Sequence, residues 1–88
     1  MALAGIPPEL EVPIFLNSYP HKAVVTVNYG ARQSGVIVEA EINSSKLINS
    51  GESVTLSKVG QNEARFIGTR PDGSQVISTQ MFNVQMPP

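Results

Sequence analysis

The sequence has no cysteine and no tryptophan, and only one histidine and one aspartate occur among its 88 residues. The absence of cysteine excludes a disulfide framework and a zinc site with thiolate ligands. A chain of this length makes a single domain that buries about 60–65% of the surface of its unfolded chain. Such a thin core must therefore be stabilised by tight packing or by association with other chains.

Charge is scarce as well. The chain carries six Lys and Arg and seven Asp and Glu residues, dispersed along the sequence, for a net charge of −1. This balance provides no electrostatic field that would attract nucleic acid or an anionic membrane, so we expect neither as a partner. By contrast, Ser, Thr, Asn and Gln together number 24. Because copies with such a neutral exterior repel one another little, it favours proteins that are displayed in dense arrays or outside the cell.

Long apolar runs are also missing. No stretch approaches the ~20 apolar residues that span a bilayer. Residues 1–6 lack the basic region and the length of a signal peptide, so we expect no Sec-type export. Pro7 and Pro8 withhold two backbone donors and favour an extended chain. The prediction is an extended arm over residues 1–8, followed by one domain over residues 9–88.

Apolar residues recur with period two in most of the chain, and turn residues separate the segments, which is typical of β-strands. Six strands are predicted, over residues 9–16, 22–29, 35–43, 53–59, 63–70 and 75–86. The buried face of the first strand should carry Leu10, Val12, Ile14 and Leu16. In the fifth strand, Ala64 and Phe66 should point inward.

The last predicted strand contains an inconsistency of phase. Ile77 and Met81 belong to one face, whereas Phe82 and Val84 belong to the other. A one-residue shift turns every side chain to the opposite face, so a bulge near Gln80 or Met81 would accommodate both sets. The alternative is a final strand that crosses from one sheet to another, or from its own domain onto a neighbour.

Two connectors have clear turn chemistry. Residues 59–62 (VGQN) are predicted to form a short hairpin loop. Residues 70–73 (RPDG) predict a hairpin of three to five loop residues, since proline, aspartate and glycine suit successive turn positions. Six or seven short strands in a chain of this length favour an antiparallel Greek-key β-sandwich. An OB-type barrel is the alternative fold.

Residues 9–86 resemble the Ig-like and fibronectin-type modules of bacterial surface proteins and phage virion proteins. The resemblance rests on the strand rhythm, on the GESVTL run that enters the fourth strand and on the RPDG hairpin. It implies an all-β, Ig-like antiparallel β-sandwich of six to seven strands with an extended N-terminal arm. The Cys pair and the core Trp of antibody domains are missing, and the resemblance implies no functional residue.

Groups suited to catalysis or metal binding are sparse. A nucleophilic site would need His21, the one histidine, beside Asp72, the one aspartate, which occupies a hairpin tip. Glu39 and Glu41 share one strand face, where carboxylates with cross-strand partners such as Arg65 are more usual than a calcium site. We therefore expect no enzyme, no metal and no cofactor.

If the strand alternation is correct, several apolar side chains point away from the core. On the domain these are Phe15, Val24, Ile37 and Ile67, and the arm adds Leu3, Ile6, Pro7 and Pro8. Contiguous apolar side chains on adjacent strands would mark an interface with another subunit. Edges and long loops could equally cover them, and the two interpretations stay open.

The sequence supports two functional hypotheses. The first is a non-enzymatic structural module, in the concrete form of a phage virion accessory protein such as a capsid decoration (cement) protein. It would lie on the virion surface, with copies of itself or a capsid or tail scaffold as partners. The second is a carbohydrate- or receptor-binding module of a surface or tail protein, exposed outside the cell. Its loops would present Tyr19, Arg32, Arg70 and Asp72 to the ligand.

Overall fold

The computed structural model describes residues 6–88, so Leu3 of the predicted arm lies outside the described residues. This range contains no helix, and hence none long and apolar enough to cross a membrane. It forms nine strands: β1 (Leu10–Glu11), β2 (Ser18–Tyr19), β3 (Val24–Val27), β4 (Gly30–Ala31), β5 (Ile37–Ile42), β6 (Ser45–Lys46), β7 (Glu52–Thr55), β8 (Gly60–Thr69) and β9 (Gln75–Val84). The predicted all-β class is confirmed. Six or seven strands were expected, and four of the nine are only two residues long.

The largest sheet has five strands in the order β2-β9-β8-β5-β6. Its centre is the antiparallel hairpin of β8 and β9, which keeps one register from Gly60↔Val84 to Thr69↔Gln75. β5 pairs antiparallel with β8, while β2 adds a parallel edge beside β9. Because β2 and β6 do not pair with each other, the sheet does not close into the alternative barrel within residues 6–88.

The hairpin predicted from the RPDG run is confirmed. The N–H of Arg70 donates to the carbonyl of Ser74 at 2.8 Å, and the N–H of Gly73 donates to the carbonyl of Arg70 at 2.9 Å. The Asp72 carboxylate accepts the N–H of Ser74 at 2.9 Å. Gly73 has a φ of 89°, which an L side chain rarely adopts. Aspartate and glycine therefore close this turn in the roles that their chemistry predicts.

A second sheet pairs β3 with β7, and a third pairs β1 with β4. One hydrophobic core joins the five-stranded sheet to the β3–β7 sheet, as in a β-sandwich. Its buried apolar side chains are Leu10, Val27, Ala40, Ile42, Leu47, Leu56, Ala64, Phe66, Phe82 and Val84. In β5, β8 and β9 the even-numbered residues face this core, so the odd-numbered residues project from the opposite face of the sheet.

All five aromatic residues of the chain pack into or against this core. The Phe15 ring stacks on Phe82 with centroids 5.0 Å apart, and Tyr19 meets the Phe82 ring edge-on at 5.5 Å. The ring of Tyr29 lies 6.2 Å from that of Phe66. Each of the five rings is buried or half-buried, so none is displayed on the surface.

The first predicted strand, residues 9–16, is wrong beyond β1. Ile14 and Leu16 are 60% and 63% exposed rather than buried. Phe15, which was predicted to point outward, is turned into the core. The change of phase follows Pro13, which has no N–H to offer a strand ladder.

Gln80 of β9 replaces a strand partner for this segment. Its Oε1 accepts the N–H of Phe15 at 2.9 Å, and its Nε2 donates to the carbonyl of Pro13 at 2.7 Å. A side-chain amide therefore satisfies the backbone groups that a β-ladder would otherwise pair.

The predicted bulge in the last strand is wrong. β9 runs from Gln75 to Val84 without a change of register against β8. Phe82 and Val84 are buried, whereas Ile77 and Met81 remain 49% and 48% exposed on the other face. The conflict of phase is resolved because one of the two apolar sets is left in contact with solvent.

The predicted hairpin loop at residues 59–62 is also wrong, since β8 begins at Gly60 and β7 pairs with β3 instead. Asn62, only 1% exposed, donates its side-chain amide to the carbonyls of Lys58 and Gly60, both at 2.9 Å. The Asn62 side chain satisfies two backbone carbonyls where the chain passes from the β3–β7 sheet to the five-stranded sheet. A hairpin loop is therefore not needed at this point.

The described part of the predicted arm, residues 6–8, is not extended. The N–H of Leu10 donates to the carbonyl of Pro7 at 3.1 Å and closes a turn. Pro8 occupies the first inner position of that turn, where its fixed φ fits. Ile6 and Pro7 are half-buried. Residues 7–10 therefore form a turn that leads into β1.

Candidate functional site

The outer face of the five-stranded sheet is the candidate site, because it collects exposed apolar and unpaired charged side chains. Odd-numbered residues of β5, β8 and β9 project from it in cross-strand rows. The rows are Ile37–Thr69–Gln75, Glu39–Ile67–Ile77, Glu41–Arg65–Thr79 and Glu63–Met81.

Three isoleucines form an apolar patch in the first two rows, here called the isoleucine patch: Ile37, Ile67 and Ile77. Ile67 lies directly opposite Ile77, and Ile37 is its diagonal neighbour through Thr69. Cross-strand and diagonal neighbours lie about 5 and 7–8 Å apart, so these side chains are contiguous. Ile37 is 69% and Ile77 49% exposed, whereas Ile67 between them is half-buried.

Charges of both signs border the isoleucine patch. Lys46 on β6 places its Nζ 2.9 Å from Oε1 of Glu39, and both side chains are largely exposed. This hydrogen bond to the carboxylate raises the pKa of the Lys46 ammonium above its ordinary value. The pair lies in solvent and contributes little to stability.

Arg65 is the most unusual charged group on the face. It lies directly opposite Glu41, yet no ion pair joins the two within 4.0 Å. Its Nε is shielded from solvent and has no hydrogen-bond partner within residues 6–88. Buried donors are nearly always paired, so within residues 6–88 this group is an exception.

Only some of the predicted interface residues come together. Ile37 and Ile67 share the isoleucine patch, while Val24, 65% exposed, lies on the β3–β7 sheet. The sequence reasoning missed Ile77 and Met81, although the signal was present. Their conflict of phase with Phe82 indicated two apolar faces on one strand, and it was interpreted as a bulge.

Two of the predicted ligand residues, Arg32 and Arg70, contact Glu9 at the hairpin end of the sandwich, and Asp72 lies in the adjacent hairpin turn, where it binds Ser74. Arg70 donates from Nε to Oε2 of Glu9 at 2.8 Å, and its Nη1 reaches Ser74 at 3.1 Å. Arg32 donates its N–H to the carbonyl of Glu9 at 2.8 Å. The hydrogen bond from Arg70 lowers the pKa of Glu9, and the hydroxyl of Ser74 lowers the pKa of Asp72. These groups are largely occupied in fastening the N-terminal turn to the hairpin.

Tyr19, the fourth predicted ligand residue, lies elsewhere. It pairs with Val84 at the far end of β9, roughly 30 Å along the strand from Gln75. Its hydroxyl accepts the N–H of Leu16 at 2.9 Å, and its ring packs against Phe82. The four residues therefore do not form one ligand site.

No catalytic arrangement is visible in the described part of the chain. His21 places Nε2 3.2 Å from the carbonyl of Ser57, while the Asp72 carboxylate is bound to Ser74. Residues 6–88 contain no group of three potential metal ligands. Three grooves of about 210, 260 and 280 Å³ are lined by neither histidine nor acidic residues.

No protein family, no curated protein and no solved structure matches this chain significantly.

Proposed function

We propose that this chain is a non-enzymatic assembly module and that the outer face of its five-stranded sheet is a contact surface. The isoleucine patch carries the proposal. On a chain with so few charges, three adjacent isoleucines present an apolar area to a partner. Burial of that area yields about 25 cal/mol per Å². The unpaired Glu41, Glu63 and Arg65 around it supply the polar rim that interfaces usually have.

The proposed fold is an Ig-like β-sandwich. Its support is the topology, in which β5, β8 and β9 are adjacent in the way of strands C, F and G, and β3 pairs with β7 as B pairs with E. The core of aromatic rings takes the place of the Cys pair and the Trp that antibody domains use.

The concrete form that we favour is a phage virion accessory protein, such as a capsid decoration protein on the virion surface. Its partners are copies of itself or a capsid or tail scaffold. A cysteine-free chain with an amide- and hydroxyl-rich exterior suits a dense array. Val24 on the opposite sheet allows a second contact with a neighbouring subunit.

The predicted arm is a further contact in this proposal. Its base is fixed by the Pro7–Leu10 turn and by the ion pair between Glu9 and Arg70, which joins Nη2 to Oε2 at 2.7 Å. Residues 1–5 precede this fixed point, and Leu3 among them is apolar. Removing them leaves every described contact of the domain in place, so their role can be tested separately from folding.

The alternative is a carbohydrate- or receptor-binding module that uses the hairpin end. The observation in its favour is the convergence of Arg32 and Arg70 on Glu9. It has less support, because sugar sites use an exposed aromatic platform and all five rings here pack in the core. Binding on a glycan array would favour this alternative.

The test is the solution mass by light scattering behind a sizing column. We expect a defined oligomer for the whole chain and a smaller species for I37D/I77D, which places charge in the isoleucine patch. A chain lacking residues 1–5 should also form a smaller oligomer if the arm contributes. Ile48, 84% exposed between β6 and β7, gives the matched control I48D, which should keep the full mass. An unchanged mass for I37D/I77D would contradict the role of this face.

A further inference from the structure

We propose that the open edge of β9 pairs with the same edge of a second copy, antiparallel and about a twofold axis at Ser78. The two five-stranded sheets then become one continuous sheet. This seam is a contact surface separate from the outer face, and it rests on the proposed function only for the choice of partner, a copy of this chain. The length of the free edge, its lack of charge and the apolar side chains beside it support the pairing.

The backbone groups along one side of β9 have no partner in the described chain. The N–H of Asn83 donates to the carbonyl of Asn17 at 2.9 Å, on the side of β9 away from β8. Because the direction of the backbone groups alternates along a strand, those of Ile77, Thr79 and Met81 point to the same side. None of them takes part in a hydrogen bond within residues 6–88. This side of β9 is therefore an open strand edge, which is a template for pairing with another chain.

The N-terminal segment leaves this edge unpaired. Gln80, whose side chain faces the core, holds the segment through the N–H of Phe15 and the carbonyl of Pro13. The Phe15 ring stacks on Phe82, which faces the core as well. Residues 13–15 therefore lie along the core side of β9, and no backbone hydrogen bond joins them to it.

The composition of β9 suits an identical strand beside it. From Gln75 to Val84 it has no charged residue, no proline and no bulge, which are the features by which natural edge strands prevent pairing. The strands at the other open edges are shorter. β6 has two residues, one of them Lys46, while β3 and β7 have four each, with Glu52 in β7. When β9 meets its own copy, no like charges oppose each other across the seam, and the isologous contact closes a dimer.

The length of the free edge determines the register. At one end lies the hairpin turn, which closes with the N–H of Arg70 on the carbonyl of Ser74. At the other end β2 occupies the N–H of Asn83. The residues left between these two ends, 75–81, are centred on Ser78.

A twofold axis at Ser78 pairs every free backbone group of this edge. It places Ile77 opposite Thr79 of the second copy. It also places Gln75 opposite Met81, and each of these pairs exchanges two hydrogen bonds and occurs twice. An axis at Thr79 would bring the second copy against β2, and an axis at Ile77 would place its hairpin turn opposite Met81.

Exposed apolar side chains flank the seam. On the outer face Ile77 and Met81 are about half exposed, and Ile77 lies diagonally across the axis from its own copy, about 7–8 Å away. Ile14 and Leu16, on either side of the inward-facing Phe15, are largely exposed beside β9. Burial of part of this apolar surface adds to the backbone hydrogen bonds of the seam.

A proline at the edge tests the seam. I37D is the background, because it places a charge on the outer face two strands away from the seam and should still dimerise. T79P removes an N–H that points away from β8, so β9 can keep its own ladder while the seam loses a hydrogen bond twice. We expect I37D/T79P to raise the dimer dissociation constant of I37D at least about tenfold in analytical ultracentrifugation. An unchanged circular dichroism spectrum shows that the fold is kept.

Single cysteines on this cysteine-free chain test the register independently of the proline. With the axis at Ser78, I77C of one copy lies opposite T79C of the other, at a Cα separation of about 5.5 Å that a disulfide can bridge. We expect an oxidised equimolar mixture of the two chains to give more of the mixed dimer, identified by its mass, than of either homodimer. V24C, exposed on the β3–β7 sheet, is the control for random oxidation.

Several results would overturn the inference. If I37D is monomeric at millimolar concentration while the wild type assembles, the outer face is the interface and the seam is wrong. An unchanged dissociation constant for I37D/T79P also excludes the seam, and a homodimer that exceeds the mixed disulfide excludes this register. Slow hydrogen exchange at the Thr79 amide of a monomeric chain would show that the same chain occupies the edge. If I37D and the wild type form the same dimer and T79P dissociates it, the seam is correct and the proposed role of the outer face fails.

Discussion

The β8–β9 hairpin and the N-terminal segment, residues 6–19, pack against the same core but are held in different ways. The hairpin has an unbroken ladder from Gly60 to Thr69 and a turn built from local residues. The N-terminal segment has only the short β1 and β2 pairings, and side chains distant in sequence hold the rest. A regular ladder is encoded by nearby residues, whereas a segment interrupted by prolines depends on partners supplied by the finished fold.

Two phenylalanines that stack on each other allow this comparison to be measured. F82A removes a ring that is 3% exposed near the open end of the hairpin, and we expect it to lower the free energy of unfolding by about 3–5 kcal/mol. F15A removes the half-buried ring from the N-terminal segment and should cost less, about 1–3 kcal/mol, because its site can relax. Urea denaturation followed by circular dichroism gives both values. Equal losses of unfolding free energy would contradict the expectation that Phe15 stabilises the core less than Phe82 does.

The Gln80 contacts test whether a side chain alone holds the N-terminal segment. Q80A removes the hydrogen bonds to Phe15 and Pro13, and we expect it to lower the free energy of unfolding by about 1–2 kcal/mol. Hydrogen exchange at the Phe15 amide should accelerate, while exchange within β8 stays slow. Q61A, on the outer face of β8, is the control for loss of an exposed glutamine. Unchanged protection at Phe15 would mean that the ring contacts suffice.

The contact between Glu9 and Arg70 should make the smallest difference, and it should depend on pH. Because the hydrogen bond from Arg70 lowers the pKa of Glu9 in the folded chain, its stabilisation is complete above the pKa of an unfolded glutamate. It is lost as the pH falls through the lowered pKa of Glu9. The thermal midpoint of the wild type should therefore exceed that of E9Q at neutral pH and approach it in acid. A constant difference between the two at every pH would contradict this assignment.

The parts of the fold that were predicted correctly depend on neighbours in the sequence. Alternation at Ala64 and Phe66 indicated their inward direction, and the RPDG chemistry located the hairpin. Alternation also predicted that Val24 and Ile37 are exposed. Their role in an interface stays a prediction, because exposure does not identify a partner.

The candidate site was predicted only in part. Ile37 and Ile67 were recognised as outward-facing residues on separate strands, but their adjacency depends on the register between β5 and β8. Ile77 was missed because a local rule, that apolar residues are buried, was preferred to the regular period of the strand. The register shows that β9 buries one apolar set and exposes the other.

The sequence by itself determined that this is an all-β chain with a tight hairpin, a charge-poor exterior and alternating apolar residues on most of its strands. Period-two alternation and turn chemistry are local, so they can be interpreted without knowing which strands are neighbours. Only the tertiary structure decided that Phe15 turns inward, that Gln80 and Arg70 hold the N-terminal segment, and that three isoleucines meet on one face. These contacts join residues up to 67 positions apart, and their energies depend on a strand order that no local pattern contains.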